Sequence, residues 1–391
     1  MSAAAKSKVV IAYDTWTMGG GFRNRGIYVY AREILAHLRK IAAQRSAEVR
    51  PFVCRDNDAA ALSASPGFVP VNSALLRHSR LWRYGGGWLS AQRQKPDVIF
   101  SPSTTTLQLA SRAARVTTIH DVTPVVMPNF APEKMLRRMR FFLSHAVRGS
   151  DQLIAISESC KRDLMRVYGV PESRITVVYS GYDKSRFNTC PADPELTAVL
   201  RQRHQLHKPY IFHHGLMQPR KNLKRLIHAF RLLLSRHRNL DLDLILAGPL
   251  GWRGEELLAA AAQNSVGKGR VILTGALPDE ELAVLLKGAT LVAIPSLYEG
   301  FCLPLVESIA CGVPTVAAGT SCLPEISGGV LRYFDPESVE EMAASMEGTL
   351  ESESVQKELA AKGLARAQKF DWRQSAEQTL QVLLDAAQAV S

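Results

Sequence analysis

Two glutamates separated by seven residues, Glu299 and Glu307, flank a strand-to-helix turn in the span Ser296-Leu-Tyr-Glu-Gly-Phe-Cys-Leu-Pro-Leu-Val-Glu307. The apolar run 290–294 predicts a strand, the residues around Glu299 and Gly300 a loop, and the stretch from about Leu303 a helix carrying Glu307 in its first turns. The start of such a helix presents unpaired backbone N–H groups and a partial positive charge. The main chain of Gly300, Phe301, Cys302 and Leu303 is therefore a candidate anion contact. Carboxylates on either side of that anion site can accept hydrogen bonds from paired hydroxyls. Hydroxyls on both sides of a diphosphate describe a nucleotide sugar.

Breaking the bond between an anomeric carbon and a diphosphate leaves negative charge on the phosphate, so preorganised positive charge is the dominant catalytic demand. Arg220 and Lys221 are adjacent cations that follow the expected strand Tyr210–His213 and precede a helix over about Leu223–Arg236. Arg offers a planar fork and Lys a compact point charge. At a helix start the dipole opposes cations unless an anion joins them, which favours a phosphate site over a solvated pair. Gly275, Ala276 and Leu277 suit main-chain contacts to a base, or equally an ordinary turn with Pro278 early in the next helix. In the first half, Gly20 and Gly21 belong to a triple glycine after the strand Val9–Tyr13, where the backbone can approach a phosphate or sugar. Phe22, Arg23, Asn24 and Arg25 then precede Gly26 at a helix start; either arginine suits the donor or an anionic acceptor. His120-Asp121 ends the strand Val116–Ile119, where the imidazole could bond a sugar hydroxyl, act as an acceptor-side base, or pair with Asp121 to shape the turn before Pro124.

These motifs resemble those of the retaining glycosyltransferases of family 4, also called glycosyl transferases group 1. The likeness runs over about residues 8 to 385. It includes Gly215-Leu-Met-Gln-Pro-Arg220-Lys221-Asn222, the segment Thr274–Leu282, Ala310-Cys-Gly-Val-Pro314 and His120-Asp-Val-Thr-Pro124. The resemblance implies an α/β chain of the GT-B class: two facing Rossmann-like domains with an interdomain cleft, and a C-terminal helix crossing back to the first domain. It implies residues 1–190 plus 372–391 as an acceptor-side domain and 191–371 as the nucleotide-sugar-binding domain. Arg220, Lys221 and Gly215 would then hold the diphosphate, Glu299 the transferred sugar and Glu307 the ribose, with His120 close to the sugar. It further implies a hexosyltransferase retaining anomeric configuration by same-face attack, with the leaving phosphate helping to deprotonate the acceptor. No Asp-x-Asp stands beside phosphate ligands, so neither metal nor cofactor is expected.

Similarity of residues 119–183 to bacterial mannosyltransferases favours GDP-mannose as donor, with a UDP-sugar as the alternative. The expected acceptor is a saccharide or a polyprenyl-diphosphate-linked saccharide in surface polysaccharide synthesis. A nucleotide-sugar epimerase on the same fold, using His120, His213 or His214, is the rival enzyme.

Alternating short apolar runs and amphipathic stretches independently predict parallel sheets covered on both faces, with a break between Phe187 and Lys208 at Pro191, Asp193 and Pro194. At 391 residues two domains are the default. The six cysteines form no CxxC pair, which suits reduced thiols and a cytoplasmic location. No apolar run approaches a membrane span, and the N-terminus lacks a signal-peptide core. The net charge of +12 is uneven: residues 1–200 carry +13 and residues 201–391 carry −1. An anionic membrane surface at the inner face of the cell membrane, or a lipid diphosphate, would explain the basic half; so would solubility alone. No stacking-aromatic motif or helix-turn-helix pattern supports nucleic acid. Two stretches suit a membrane interface, 77–88 and the basic amphipathic 134–148; Met135, Met139, Phe142 and Ala146 of the latter fit a core-facing stripe better.

Overall fold

The computed structural model describes residues 8–18, 26–52, 82–107, 109–263 and 268–390. Gly20 and Gly21, Arg23 and Arg25, Cys54 and residues 77–81 lie outside them. The chain divides into two compact units, one of residues 1–128, 133–181 and 371–391, the other of 129–132 and 182–370.

The first unit is built on a six-stranded sheet in the order β2-β1-β3-β4-β5-β6: β1 Val9–Asp14, β2 Ala47–Phe52, β3 Val98–Ser101, β4 Ala114–Ile119, β5 Gln152–Ala155 and β6 Ile175–Val177. Every pairing is parallel. Parallel strands covered on both faces read as continuous apolar runs rather than alternating ones, and β3 is buried at all four positions. The helix Gly26–Ala42 covers one face, and the C-terminal helix Trp372–Val390 packs against it and against β3 and β4. The last helix therefore belongs to the first unit, as expected from the resemblance.

The second unit repeats the design with β7 Tyr210–His214, β8 Asp243–Ala247, β9 Val271–Gly275, β10 Leu291–Ile294, β11 Thr315–Ala318 and β12 Arg332–Phe334, ordered β12-β11-β10-β7-β8-β9 and again all parallel. Counted along the chain, this is the doubly wound order 3-2-1-4-5-6. Its winding reverses between β7 and β10, and in open α/β sheets the crevice beyond the carboxyl ends of such strands is where ligands bind. Both strands run straight into the motif loops. Pro191, Asp193 and Pro194 interrupt the strand-helix rhythm for a local reason: Asp193 caps the helix Pro194–His204, accepting from Glu195 N at 2.9 Å, with proline in its first turn.

Candidate donor site at the switch point of the second sheet

Beyond β7, a short turn Pro219–Lys221 leads through Asn222, in the left-handed region at φ 60°, to the helix Leu223–Arg236. Beyond β10, the loop 295–302 leads through Cys302, also left-handed at φ 71°, to the helix Leu303–Ala310. Neither helix has an acid in its first turn, so neither dipole is neutralised locally. The two loops are tied together. Leu297 N donates to Arg220 O at 2.8 Å, and Asn222 Nδ2 donates to Pro295 O and Pro336 O at 3.1 and 2.6 Å. Gly215, at φ +127°, turns the chain out of β7 in a conformation that side chains rarely adopt. A Cβ on neighbouring Gly248 would lie 2.1 Å from Gly215 O, so the backbones at the ends of β7 and β8 touch.

This scaffold gathers three of the expected charges. Arg220 Nη1 lies 2.7 Å from Glu299 Oε2 and also donates to Tyr298 O at 2.9 Å. Lys221 Nζ lies 2.6 Å from Glu299 Oε1. Lys221 and Glu299 are 6% and 5% exposed, so neither the solvated cation pair nor a solvent-facing loop carboxylate describes them. Burial alone would raise the Glu299 carboxyl; the Arg220 and Lys221 charges override it and hold the group down at about 2. Glu299 N donates to Ser321 Oγ at 3.0 Å, which fixes the loop at the glutamate itself.

Glu307 sits in the helix Leu303–Ala310 with its side chain 16% exposed. His214 Nε2, at the end of β7, approaches Glu307 Oε2 at 3.5 Å; this nitrogen has no hydrogen-bond partner, while the ring bonds the Pro304 carbonyl. Burial, reinforced by the Asp279 charge and opposed by Arg186, pushes the Glu307 carboxyl up to about 8. Burial, then the neighbouring His213 and Lys221, pushes His214 down to about 3. At neutral pH the pair is thus a protonated acid beside a neutral imidazole. If the ribose hydroxyls expected at Glu307 both donate to it, one to each oxygen, both oxygens have to be acceptors and binding expels the proton. Nucleotide affinity should therefore rise about tenfold per unit as pH climbs towards 8 and level off above it. The same proton favours the folded chain, whose stability should fall as pH rises from the unfolded value, 4.5, to about 8. Calorimetry in two buffers of different ionisation enthalpy reads the proton release, and Glu307→Gln should abolish it. A pH-flat affinity in the unsubstituted protein would contradict this assignment.

Other expected residues fall nearby in the chain. Gly275 and Ala276, at the end of β9, are exposed and Leu277 is half-buried. Pro278 stands as the cap before the helix Asp279–Lys287 rather than inside it. Phe301 and Cys302 are buried, with the Phe301 ring edge-on to Phe370 at 5.5 Å. Pro304 removes one N–H from the first turn of its helix, so the anion contacts expected there would fall to the main chain before it. Asp241 and Asp243 form an Asp-x-Asp, yet they pair with Lys208 and Arg270 at the opposite, amino-terminal end of the sheet.

In the first unit, His120 follows β4 at its carboxyl end. Its Nε2 bonds Pro102 O at 2.8 Å and its ring lies edge-on to Tyr30 at 4.9 Å. Burial lowers its pKa despite that bond. Asp121 instead accepts from Thr123 N at 2.9 Å, so it shapes the turn without holding the imidazole.

His214 was the contact that sequence reasoning did not pair with Glu307, although its place at the last position of β7 was a signal. Ser321 gave none. A cavity of about 500 Å³ lined by Leu233, Arg236, His237 and Glu347 lies at the far end of the helix Leu223–Arg236, roughly 20 Å along its axis from Lys221. No motif residue lines it.

Residues 25–186 match the family described as Glycosyltransferase Family 4, and residues 199–366 match Glycosyl transferases group 1. The chain is 30% identical over 265 residues to the O-antigen chain mannosyltransferase B of Escherichia coli, covering 68% of each. It is 28% identical over 265 residues to the serotype-specific mannosyltransferase WbdA of Escherichia coli, of which it spans about a third. In fold it matches the Anabaena HepE crystal structure in complex with UDP-glucose, with a TM-score of 0.71 and 21% identity over 96% of this chain and 99% of that one. With its two parallel six-stranded sheets and returning C-terminal helix, this chain belongs to the GT-B glycosyltransferases of family 4, group 1.

Proposed function

We propose that the protein is a metal-independent retaining hexosyltransferase. It moves mannose from GDP-mannose to a saccharide, or to a polyprenyl-diphosphate-linked saccharide at the inner face of the cell membrane, in surface polysaccharide synthesis. The observation that carries this reading is the convergence of Arg220 and Lys221 on Glu299 at the β7/β10 switch point. Glu299 is the counter-ion of both cations; a diphosphate, with more charge and more acceptor atoms, would share them and free the carboxylate for sugar hydroxyls. The same cations then stabilise the charge that develops as the glycosyl bond breaks, aided by the amino terminus of the helix Leu303–Ala310. Fixed cations in those positions do the work a metal ion would do.

Retention by same-face attack is supported by the character of the carboxylates. Glu299, held near 2 by two cations, is a poor base and a poor nucleophile at neutral pH. The acceptor proton is therefore assigned to the departing phosphate. His120 has a lowered pKa and is assigned to a sugar hydroxyl, with an acceptor-side base as the other role. The epimerase alternative draws little from His213 and His214, which burial holds at about 4 and 3.

The donor preference draws on the mannosyltransferase relatives; the fold neighbour solved with UDP-glucose keeps a UDP-sugar as the second reading. A panel of sugar nucleotides separates them. GDP-mannose should be turned over fastest, and EDTA should leave the rate unchanged. Turnover with UDP-sugars alone would remove the mannose assignment, and loss of activity in EDTA would remove metal independence.

A further inference from the structure

The helix Glu133–Gly149 divides its side chains between two faces. Leu136, Phe142, Leu143, Ala146 and Val147 are buried in the first unit; of the expected stripe this includes Phe142 and Ala146, while Met135 is 39% exposed and Met139 half-buried. The opposite face exposes Lys134, Arg137, Arg138, Phe141, His145 and Arg148; apart from the adjacent Arg137 and Arg138 they follow one another at three or four positions and so form one row. Glu133 is the lone acid of this helix, and it pairs with Arg140 at 3.4 Å. Among the described residues, Lys134, Arg137, Arg138 and Arg148 have no acidic partner.

Large apolar side chains stand beside these cations. Phe141 is 41% exposed, and the ring of Tyr84, 53% exposed, lies 6.3 Å from it. Leu109, 41% exposed, reaches back to Gly85, whose added Cβ would sit 3.9 Å from Leu109 Cδ1. Arg83 lies over the Phe142 ring at 4.4 Å and feels the Arg138 charge. Exposed aromatic rings grouped among unneutralised arginines suit an interface that is apolar just below a layer of negative charge.

We propose that this face docks the protein on an anionic lipid bilayer, with Phe141, Tyr84 and Leu109 entering the headgroup region while Lys134, Arg137, Arg138 and Arg148 meet acidic headgroups. Charge complementarity selects this occupant: the first 200 residues carry +13 and the remainder −1. The inference deepens the reading of a lipid-linked acceptor and rests on that reading for its purpose, while its observations lie in a different unit from the donor site.

Flotation of the purified protein with phosphatidylcholine vesicles, with and without phosphatidylglycerol, tests it. The protein should float with the phosphatidylglycerol vesicles alone and be released by molar salt. Each cation near an anionic surface contributes a factor of about five, so Arg137→Ala/Arg138→Ala should weaken binding about twenty-five-fold. Phe141→Ser should weaken it several-fold at unchanged charge, and since these side chains are exposed, circular dichroism should match the unsubstituted protein. Failure to float, equal flotation with both vesicles, wild-type flotation of the variants, or capture of a soluble acidic polysaccharide instead of vesicles would each overturn the proposal. Transfer to a short-chain soluble acceptor, run in parallel, keeps the two readings apart. It should be unchanged in these variants, and flotation without any transfer would overturn the transferase reading while sparing the docking face.

Discussion

Replacing Arg220 by alanine should lower kcat about 100- to 1,000-fold while leaving the fold intact. Removing a single preorganised donor from charge that develops in a transition state typically has that effect. The loss should appear in kcat more than in KM, because the diphosphate gains charge as the glycosyl bond lengthens. The fold should survive, because Arg220 is the more exposed of the two cations and Glu299 keeps Lys221 at 2.6 Å. Arg220→Lys restores the charge but not the planar guanidinium, whose Nη1 donates to both Tyr298 O and Glu299 Oε2 and leaves its other N–H groups for a phosphate, so it should recover only part of the rate. Steady-state kinetics with a thermal melt on each variant checks both halves. An unchanged kcat in Arg220→Ala would remove the residue from the reaction.

Glu299→Gln should act on stability as well as rate. The glutamate is 5% exposed and is the common counter-ion of Arg220 and Lys221, so neutralising it leaves two cations side by side in a largely dry site. Breaking a buried pair from one side costs about 3–5 kcal/mol. In a unit of this size that corresponds to a fall in Tm of roughly 10 °C. GDP or UDP should raise the melting temperature of the variant more than that of the parent, because the diphosphate replaces the missing negative charge. The native carboxylate also carries an acid signature. Its folded value, about 2, lies below the ordinary 4.5, so its contribution is complete above 4.5 and is lost as pH falls towards 2. A melt of Glu299→Gln that matches the parent with and without nucleotide would show that the three charges are not coupled.

The parts of this fold that were legible in sequence are those with strong local signals. The helix Leu223–Arg236 has a broad apolar face, and Asp279–Lys287 and Leu303–Ala310 start on clear turn residues; all three take the expected bounds. The helix Pro194–His204 was hidden because Asp193 and Pro194 act as a cap and first turn, a signal that also reads as a break. Sheet order was not legible, since a one-dimensional pattern of strands does not say that β10 lies beside β7. That juxtaposition brings Glu299 to Arg220 and Lys221, and Glu307 to His214, across 78 to 93 positions of chain. Motif composition named the charged residues; their mutual geometry needed the fold. The helix Glu133–Gly149 teaches the converse. Of the expected core stripe Phe142 and Ala146 are buried, but Met135 is 39% exposed and Met139 half-buried because the buried face runs through Leu136, Leu143 and Val147 instead. The exposed Phe141 in the basic row carried no periodic signal.

A crystal structure with GDP-mannose or a UDP-sugar bound tests the central claim most directly. The account predicts pyrophosphate density within hydrogen-bond distance of the Arg220 guanidinium and Lys221 Nζ, with the ribose hydroxyls on Glu307. Density lying elsewhere, with the Arg220–Glu299–Lys221 contacts undisturbed, would contradict it.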